Sequence, residues 1–430
     1  MKVALTGDSI LQRRLNPTAA PSFAGLFDII NSCDVSFTNL EVVPNDFRGD
    51  PALESGGSHF GAPSWVLDEL AEAGFNLFAA ATNHALDYSI SGLMIGIEEL
   101  ERRELAFAGI GRHLDDARRP VYLDRPAGTA AMISCTSTYG RGQQASAQRC
   151  DVQGRPGVNP LGIDTIFDVT SEQAEQIAAI AEALGLSSRR EWLSRMGFSF
   201  PPPDGILPFE ELSFRVAEKA GIRTVAREKD MLDIIRWVHE ARRLSDIVIV
   251  SIHGHEYGDK EEDAPEFLHD VSHRLIDEGA HLVACHGQHL LRGMELYKGL
   301  PIFYGLGNFI AQNELIQRIP ADGYARYRAD PSLTPGMVYW SRTAGDTRGF
   351  ASDGKYWESI VPVLNYADGR LAALEVHPVS LGFGDPAHRR GRPSLAAGTK
   401  GELILRRFCA LSEALGTRLE IKAGKATLVT

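Results

Sequence analysis

The sequence predicts an α/β fold, and three observations carry that expectation. Apolar, β-branched runs of strand length alternate with stretches of helical periodicity. The clearest unit lies in and around Ser251–His289, where the runs Asp246–Ile252 and His281–Cys285 flank a helical stretch, Phe267–Gly279, that stops at Gly279. Most telling, residues able to do chemistry stand where the strands end. His253 follows the first run of that unit, and His286 and His289 follow the second. In open α/β sheets, ligands bind at that carboxyl edge.

In chain order, Lys2–Gly7 reads as a buried strand ending at Asp8. Phe23–Asn31 has helical spacing, and Val35–Asn39 is a second strand with Glu41 just beyond it. Ser64–Gly74 is a helix with a glycine stop. Asn76–Thr82 is a third strand running into Asn83 and His84. Ser91–Arg103 is helical, and Ala106–Ile110 and Thr129–Cys135 are short strands. The alternation then breaks. Gly140–Gly162 is rich in Gly, Gln, Arg and Pro. Ser171–Leu186, Glu191–Gly197, Phe209–Gly221 and Glu228–Leu244 all read as helical. Residues 140–238 are therefore expected to form a mostly helical insertion between two strands of one sheet. A loop system of that length is expected to cover the active edge as a lid. The catalytic domain would comprise residues 1–139 and 239–430. After His289 come a strand at Pro301–Tyr304, the motif Gly305–Phe309 and an irregular rim segment, Ile310–Phe350. A hairpin follows from Tyr356–Asn365 and Leu371–Val379 around Asp368–Gly369. Glu402–Leu415 is a closing helix.

At 430 residues, the chain is long enough for one large domain or two ordinary ones. Its 44% hydrophobic and 23% charged content describes a soluble globular protein. A net charge of −12 argues against general nucleic-acid binding, which needs basic surface. Five cysteines without a CxxC pair point to free thiols in a reducing compartment. The N-terminus lacks a signal-peptide apolar region, and no run approaches the ~20 residues of a membrane span. The expectation is a cytoplasmic protein with no membrane anchor. Nothing in the sequence sets an oligomeric state.

Asp8, Glu41, Asn83 with His84, His253, and His286 with His289 form a mixed oxygen and nitrogen donor set. Such a set suits a divalent Mn, Zn, Fe or Co ion better than an all-oxygen Mg or Ca site. Taken singly, an Asp, Asn or His after a strand is ordinarily a turn former or a helix cap. Three histidines flanking one strand–helix–strand unit, with carboxylates after the first two strands, favour a metal instead. Arg155 and Asn159, in Arg155–Gly162, stand at the mouth of the insertion, where an arginine can grip a substrate carboxylate through two nitrogens. Tyr324, Tyr327 and Arg328 are rim residues of the later loop. Thr6–Ser9 has one glycine and no lysine, so it is not a phosphate-binding P-loop.

The stretches TGDSIL (Thr6–Leu11), NLE (Asn39–Glu41), TNHALD (Thr82–Asp87), IHGHEYG (Ile252–Gly258), CHGQH (Cys285–His289) and YGLGNF (Tyr304–Phe309) resemble the CapA family. These are poly-γ-glutamate biosynthesis proteins, a branch of the calcineurin-like metallophosphoesterases. The resemblance covers Met1–Tyr139 and Asp246–Val379. It implies packed mixed sheets flanked by helices, with one or two metal ions on the carboxyl edges. It further implies that Asp8 ligates a first ion with His289. Glu41 stands where the superfamily has a bridging Asp. Asn83, His253 and His286 would hold a second ion. His84 would be the outer acid/base, oriented by Asp87, and Asp8 could share in acid/base work. His255 and Glu256, just beyond, would support the ligands and meet substrate. One departure stands out: the superfamily has a histidine two residues after the first Asp, and here that residue is Ile10.

The expected function is a metal-dependent hydrolase of an amide-type bond in a carboxylate-bearing small molecule or peptide. "Amide" follows from the family's γ-glutamyl association rather than from the site. The alternatives are a metal-assisted Cα epimerase of a peptide, a non-catalytic accessory protein of poly-γ-glutamate or capsule synthesis, and a phosphoesterase. The absent anchor argues against the accessory reading, and Ile10 against the phosphoesterase.

Overall fold

A computed structural model describes residues 1–15 and 21–429. Two mixed sheets pack face to face. The larger is ten-stranded, and its long path runs Leu419–Lys422, Lys425–Leu428, Arg370–Ser380, Glu358–Ala367, Lys2–Ile10, Val35–Leu40, Leu77–Ala79 and Ala106–Ala108. Asn308–Ala311 pairs in parallel with the far half of Lys2–Ile10, putting Asn308 opposite Asp8. The second sheet is six-stranded: Met294–Tyr297, Leu300–Phe303, Leu282–His286, Ile247–His253, Gly128–Thr136 and Val121–Arg125.

The layers follow from the period-two alternation of strand side chains. In the first strand, Val3 and Leu5 point toward the other sheet, while Ala4 and Ile10 point toward the outer helices. In Ile247–His253, Ile247 and Ile249 face inward, while Val248, Val250 and Ile252 face the helices Glu228–Leu244 and Glu266–Asp277. Both strands are buried on both faces, which is why they read as near-continuous apolar runs. Each Val, Leu, Ile or Phe fully buried this way contributes about 1.5–3 kcal/mol. The resulting order is helices, sheet, sheet, helices, as the family resemblance implies.

Most expected elements are present within a few residues, and Glu228–Leu244 is present with the expected bounds. Phe209–Gly221 is a correction. Its charged residues suit a helix, but the backbone forms the strands Ile206–Phe209, Leu212–Val216 and Gly221–Ala226. Leu212–Val216 pairs in parallel with Ile163–Val169, and Gly221–Ala226 pairs antiparallel with that same strand. Phe214 sits on Phe167 with ring centroids 5.5 Å apart, and Arg215 clasps Asp168 through two nitrogens at 2.9 and 3.0 Å. Pairing and cross-strand contacts override local helical propensity here. The segment 140–238 therefore mixes a four-stranded sheet with the helices Ser171–Ala183, Leu186–Arg195 and Glu228–Leu244. Its last strand lies against Glu266–Asp277, where Arg223 comes within 3.8 Å of Glu266. The Ile310–Phe350 segment, expected to be irregular, holds the helices Ala321–Tyr327 and Pro335–Arg342. No helix among the described residues is long and apolar enough to cross a membrane.

Candidate metal centre

Strand register assembles the site. Parallel pairing sets His253 beside His286 at the edge of the second sheet. Asp8 is set beside Asn39 on one flank and Asn308 on the other. Facing one another across the two sheets, these edges bring together residues far apart in the chain.

Asp8 is 1% exposed, and both its oxygens are engaged. Asn39 Nδ2 donates to Oδ1 at 2.8 Å and the Gly287 N–H to Oδ2 at 3.1 Å. His289 Nδ1 lies 3.4 Å from Oδ2. Gly287 has φ +102, and a Cβ there would stand 2.6 Å from the Gly254 oxygen, so only glycine lets that N–H reach Asp8. His289 itself has φ +60, a costly conformation for a histidine, of the kind held in place at functional sites.

Glu41 is the pivot. Its carboxylate is fully buried, yet neither oxygen has a hydrogen-bond partner among the described residues. Oε1 lies 3.8 Å from His253 Nε2, and Oε2 lies 3.8 Å from His289 Nδ1. A bare buried carboxylate is costly unless a cation satisfies it. Two groups of potential ligand atoms share it: Asp8, Glu41 and His289, and Glu41, His253 and His255. Asn83 Oδ1 converges on His253 Nε2 at 2.8 Å, beside the second group.

Electrostatics agree with that reading. Burial pushes the Glu41 carboxyl well above its usual range, against the pull of His289 and reinforced by Asp8 and Asp87. Burial lowers His255 to about 3 and His286 to about 4, leaving neutral imidazoles. Burial would lower His289 too, but the Glu41 and Asp8 carboxylates outweigh it and hold the ring up at about 9. Protons shared among these groups are what a divalent ion displaces on binding. The donor set therefore fits a metal ion.

The expected contact between His84 and Asp87 is present. His84 Nδ1 donates to Asp87 Oδ2 at 2.7 Å, and the same oxygen accepts the Phe60 N–H at 2.7 Å. Phe60 packs on the His84 ring at 4.3 Å. Nδ1 is thus engaged, and His84 lines the cavity beside the site. Gly56 closes in here: a Cβ on it would stand 2.0 Å from Asn83 Nδ2 and 3.0 Å from His84 Nε2.

Several expectations need correction. His255, expected to meet substrate, joins a candidate ligand group; His286 lies outside both groups, though its two buried ring nitrogens also lack a hydrogen-bond partner among the described residues. His286 Nδ1 is 3.7 Å from Asp8 Oδ1, and its ring meets Phe37 edge-on. Glu256 is spent on Ser137 Oγ at 2.7 Å and Thr138 Oγ1 at 3.0 Å. Asn159 is fully buried, accepting from Arg118 Nε at 2.7 Å and donating to the Ser134 oxygen at 2.9 Å. Arg155 bonds the Gln144 oxygen at 3.1 Å and does not line the cavity beside the site. Ile10 packs in the apolar layer beneath the helices.

That cavity, about 400 Å³, is lined by His84, His255 and His289 and by the segment 308–357. No residue of 140–238 lines it, so the expected lid is elsewhere, against the helix Glu266–Asp277. The cover comes from the later segment. Tyr327 and Tyr339 both bond Ser58 Oγ, while Tyr324 bonds the Leu333 oxygen and Arg328 closes its helix at φ +52. Two asparagines outside the expected set also join the site. Asn39 joins Asp8 to His253, with Nδ2 3.1 Å from Nδ1, and Asn308 Oδ1 lies 2.9 Å from His289 Nδ1. Their only sequence signal is a place inside the NLE and YGLGNF motifs.

Residues 2–313 match the bacterial capsule synthesis protein family PGA_cap. The chain belongs to that family. Each residue of both ligand groups, and the His84–Asp87 pair, falls inside the match. This capsule synthesis family member is 31% identical over 426 residues to the uncharacterized protein y4sH of Sinorhizobium fredii, covering 97% of this chain and 90% of that one. It is 24% identical over 243 residues to the PGA biosynthesis protein CapA of Bacillus subtilis, covering 56% of this chain and 44% of the other. A probable polyglutamine synthesis accessory protein of Mycobacterium tuberculosis is 38% identical over 113 residues, or 26% of this chain and 28% of that protein.

Proposed function

We propose that this protein is a metal-dependent hydrolase of an amide-type bond in a carboxylate-bearing small molecule or short peptide, acting in capsule or poly-γ-glutamate metabolism. The bare, buried Glu41 carboxylate between two ligand groups, beside the His84–Asp87 pair, carries the reading. The relatives' names support the polymer context. One or two divalent ions of the Mn, Zn, Fe or Co type, held by Asp8, Glu41, Asn83, His253, His255 and His289, would supply Lewis acidity toward a carbonyl and a water. The chain's own residues do the rest. Asp87 fixes the His84 ring through Nδ1, and Nε2 then delivers a proton to the leaving amine. Phe60 and Gly56 crowd that ring and keep bulk water from it.

Two further observations favour this over its competitors. An epimerase needs a second free base across one Cα. Asp8, the carboxylate offered for that role, belongs to a candidate ligand group, so a bound ion would occupy it. A relict site would have little reason to keep a buried carboxylate with two unsatisfied oxygens, since such a group costs about 1–3 kcal/mol or more.

Short γ-linked glutamyl peptides incubated with the protein in heavy-oxygen water, and separately in heavy water, test the reading. One heavy oxygen in a product carboxylate is the expected result. A deuteron at Cα, with no oxygen gained and no bond broken, would replace the hydrolase with an epimerase.

A further inference from the structure

The metal-side residues lie within residues 2–313, but much of the cavity wall lies beyond the family match, in 314–357. That segment carries two arginines into the lining, Arg342 and Arg348. Neither meets a carboxylate within ion-pair distance among the described residues. Arg348 Nε donates to the Arg342 backbone oxygen at 2.7 Å, which ties the pair together. Arg342 lies over the Tyr327 ring at 4.7 Å, and Tyr327 bonds Ser58 on the loop that backs His84. Arg348 stands two residues before Phe350, whose ring packs on His289 at 5.4 Å. One arginine is thus anchored to the His84 side of the site and the other to the His289 side.

The charge is not balanced within the cavity. Glu314 is the one acid among its described lining residues, and Arg390 already holds both its oxygens. A volume of about 400 Å³ falls in the small-molecule range and leaves room for a short peptide. Around the arginines the wall is aromatic, with Tyr339, Phe350, Tyr356 and Trp357. Both arginines are solvent-exposed at the cavity rim, where a guanidinium meets a carboxylate through a charge-assisted, two-pronged bond.

We propose that Arg342 and Arg348 bind a free carboxylate of the substrate, so that the site selects acidic peptides such as short glutamyl chains over neutral amides. This deepens the hydrolase reading and rests on it for the bond that breaks, whereas the binding selectivity is measurable alone. Calorimetric titration of the full chain compares γ-linked triglutamate with the same backbone carrying carboxamides. The wild type should bind triglutamate at least about ten-fold tighter, the scale of one hydrogen bond to a charged group. Arg348→Gln should weaken triglutamate about ten-fold and leave the carboxamide peptide unchanged. Arg342→Lys, which keeps the charge and loses the planar fork, should weaken it by less. The double Arg→Gln variant should lose the preference. Equal binding of the two peptides by the wild type, or a preference kept by the double variant, would overturn the proposal. Triglutamate that binds through the arginines yet stays intact upholds the carboxylate site and sinks the hydrolase. Equal cleavage of triglutamate by wild type and double variant upholds the hydrolase and overturns this inference.

Discussion

Glu41→Gln protein is expected to bind divalent metal at least about 100-fold more weakly than wild type. Losing a residue that only supports a ligand costs about 10–100-fold, and Glu41 is common to both ligand groups. Gln keeps the shape and one oxygen but loses the charge and the second donor. The same change should leave the metal-free protein at least as resistant to urea, because a buried carboxyl without a partner carries a desolvation cost. Titration with Mn or Zn, followed by urea unfolding with and without chelator, reads both effects. Unchanged metal affinity, or a metal-free variant that unfolds, would make Glu41 a structural residue.

His84→Asn should separate chemistry from metal binding. His84 belongs to neither ligand group, and its Nδ1 is committed to Asp87. The expected loss is about 10²–10⁴-fold in kcat, the usual worth of a positioned acid/base, with metal content at the wild-type level. A variant that loses metal together with activity would move His84 into the coordination sphere. A variant that turns over normally would remove it from the chemistry.

Strand ends were legible because they rest on local pattern. Asp8, Glu41 and His253 follow runs buried on both faces, and such runs announce themselves in sequence. What lies a few residues beyond a strand is set by turns instead. Gly287, at φ +102, directs its N–H to Asp8 and packs against Gly254, so the two histidine loops meet in a way that spacing does not encode. Spacing therefore could not foretell that His255, rather than His286, lies within reach of Glu41 and His253. Asn308 was missed because it reaches Asp8 only through parallel pairing across some 300 residues of chain. The strand Leu212–Val216 was read as helix because its charged neighbours suit one, while the partners that make it a strand lie outside the local window. The cover was sought in the long insertion, which packs on a helix of the second sheet. It is supplied by 313–357, where aromatic and arginine content offered a weaker signal than length.

The central claim is a divalent metal centre built on Glu41. Anomalous diffraction at the absorption edges of Mn, Fe, Co and Zn, on crystals grown without chelator, tests it most directly. A peak is expected about 2.0–2.2 Å from a Glu41 carboxylate oxygen, with His253 and His255 or Asp8 and His289 completing the sphere. A transition metal bound elsewhere, or no peak at this carboxylate after metal soaking, would contradict it.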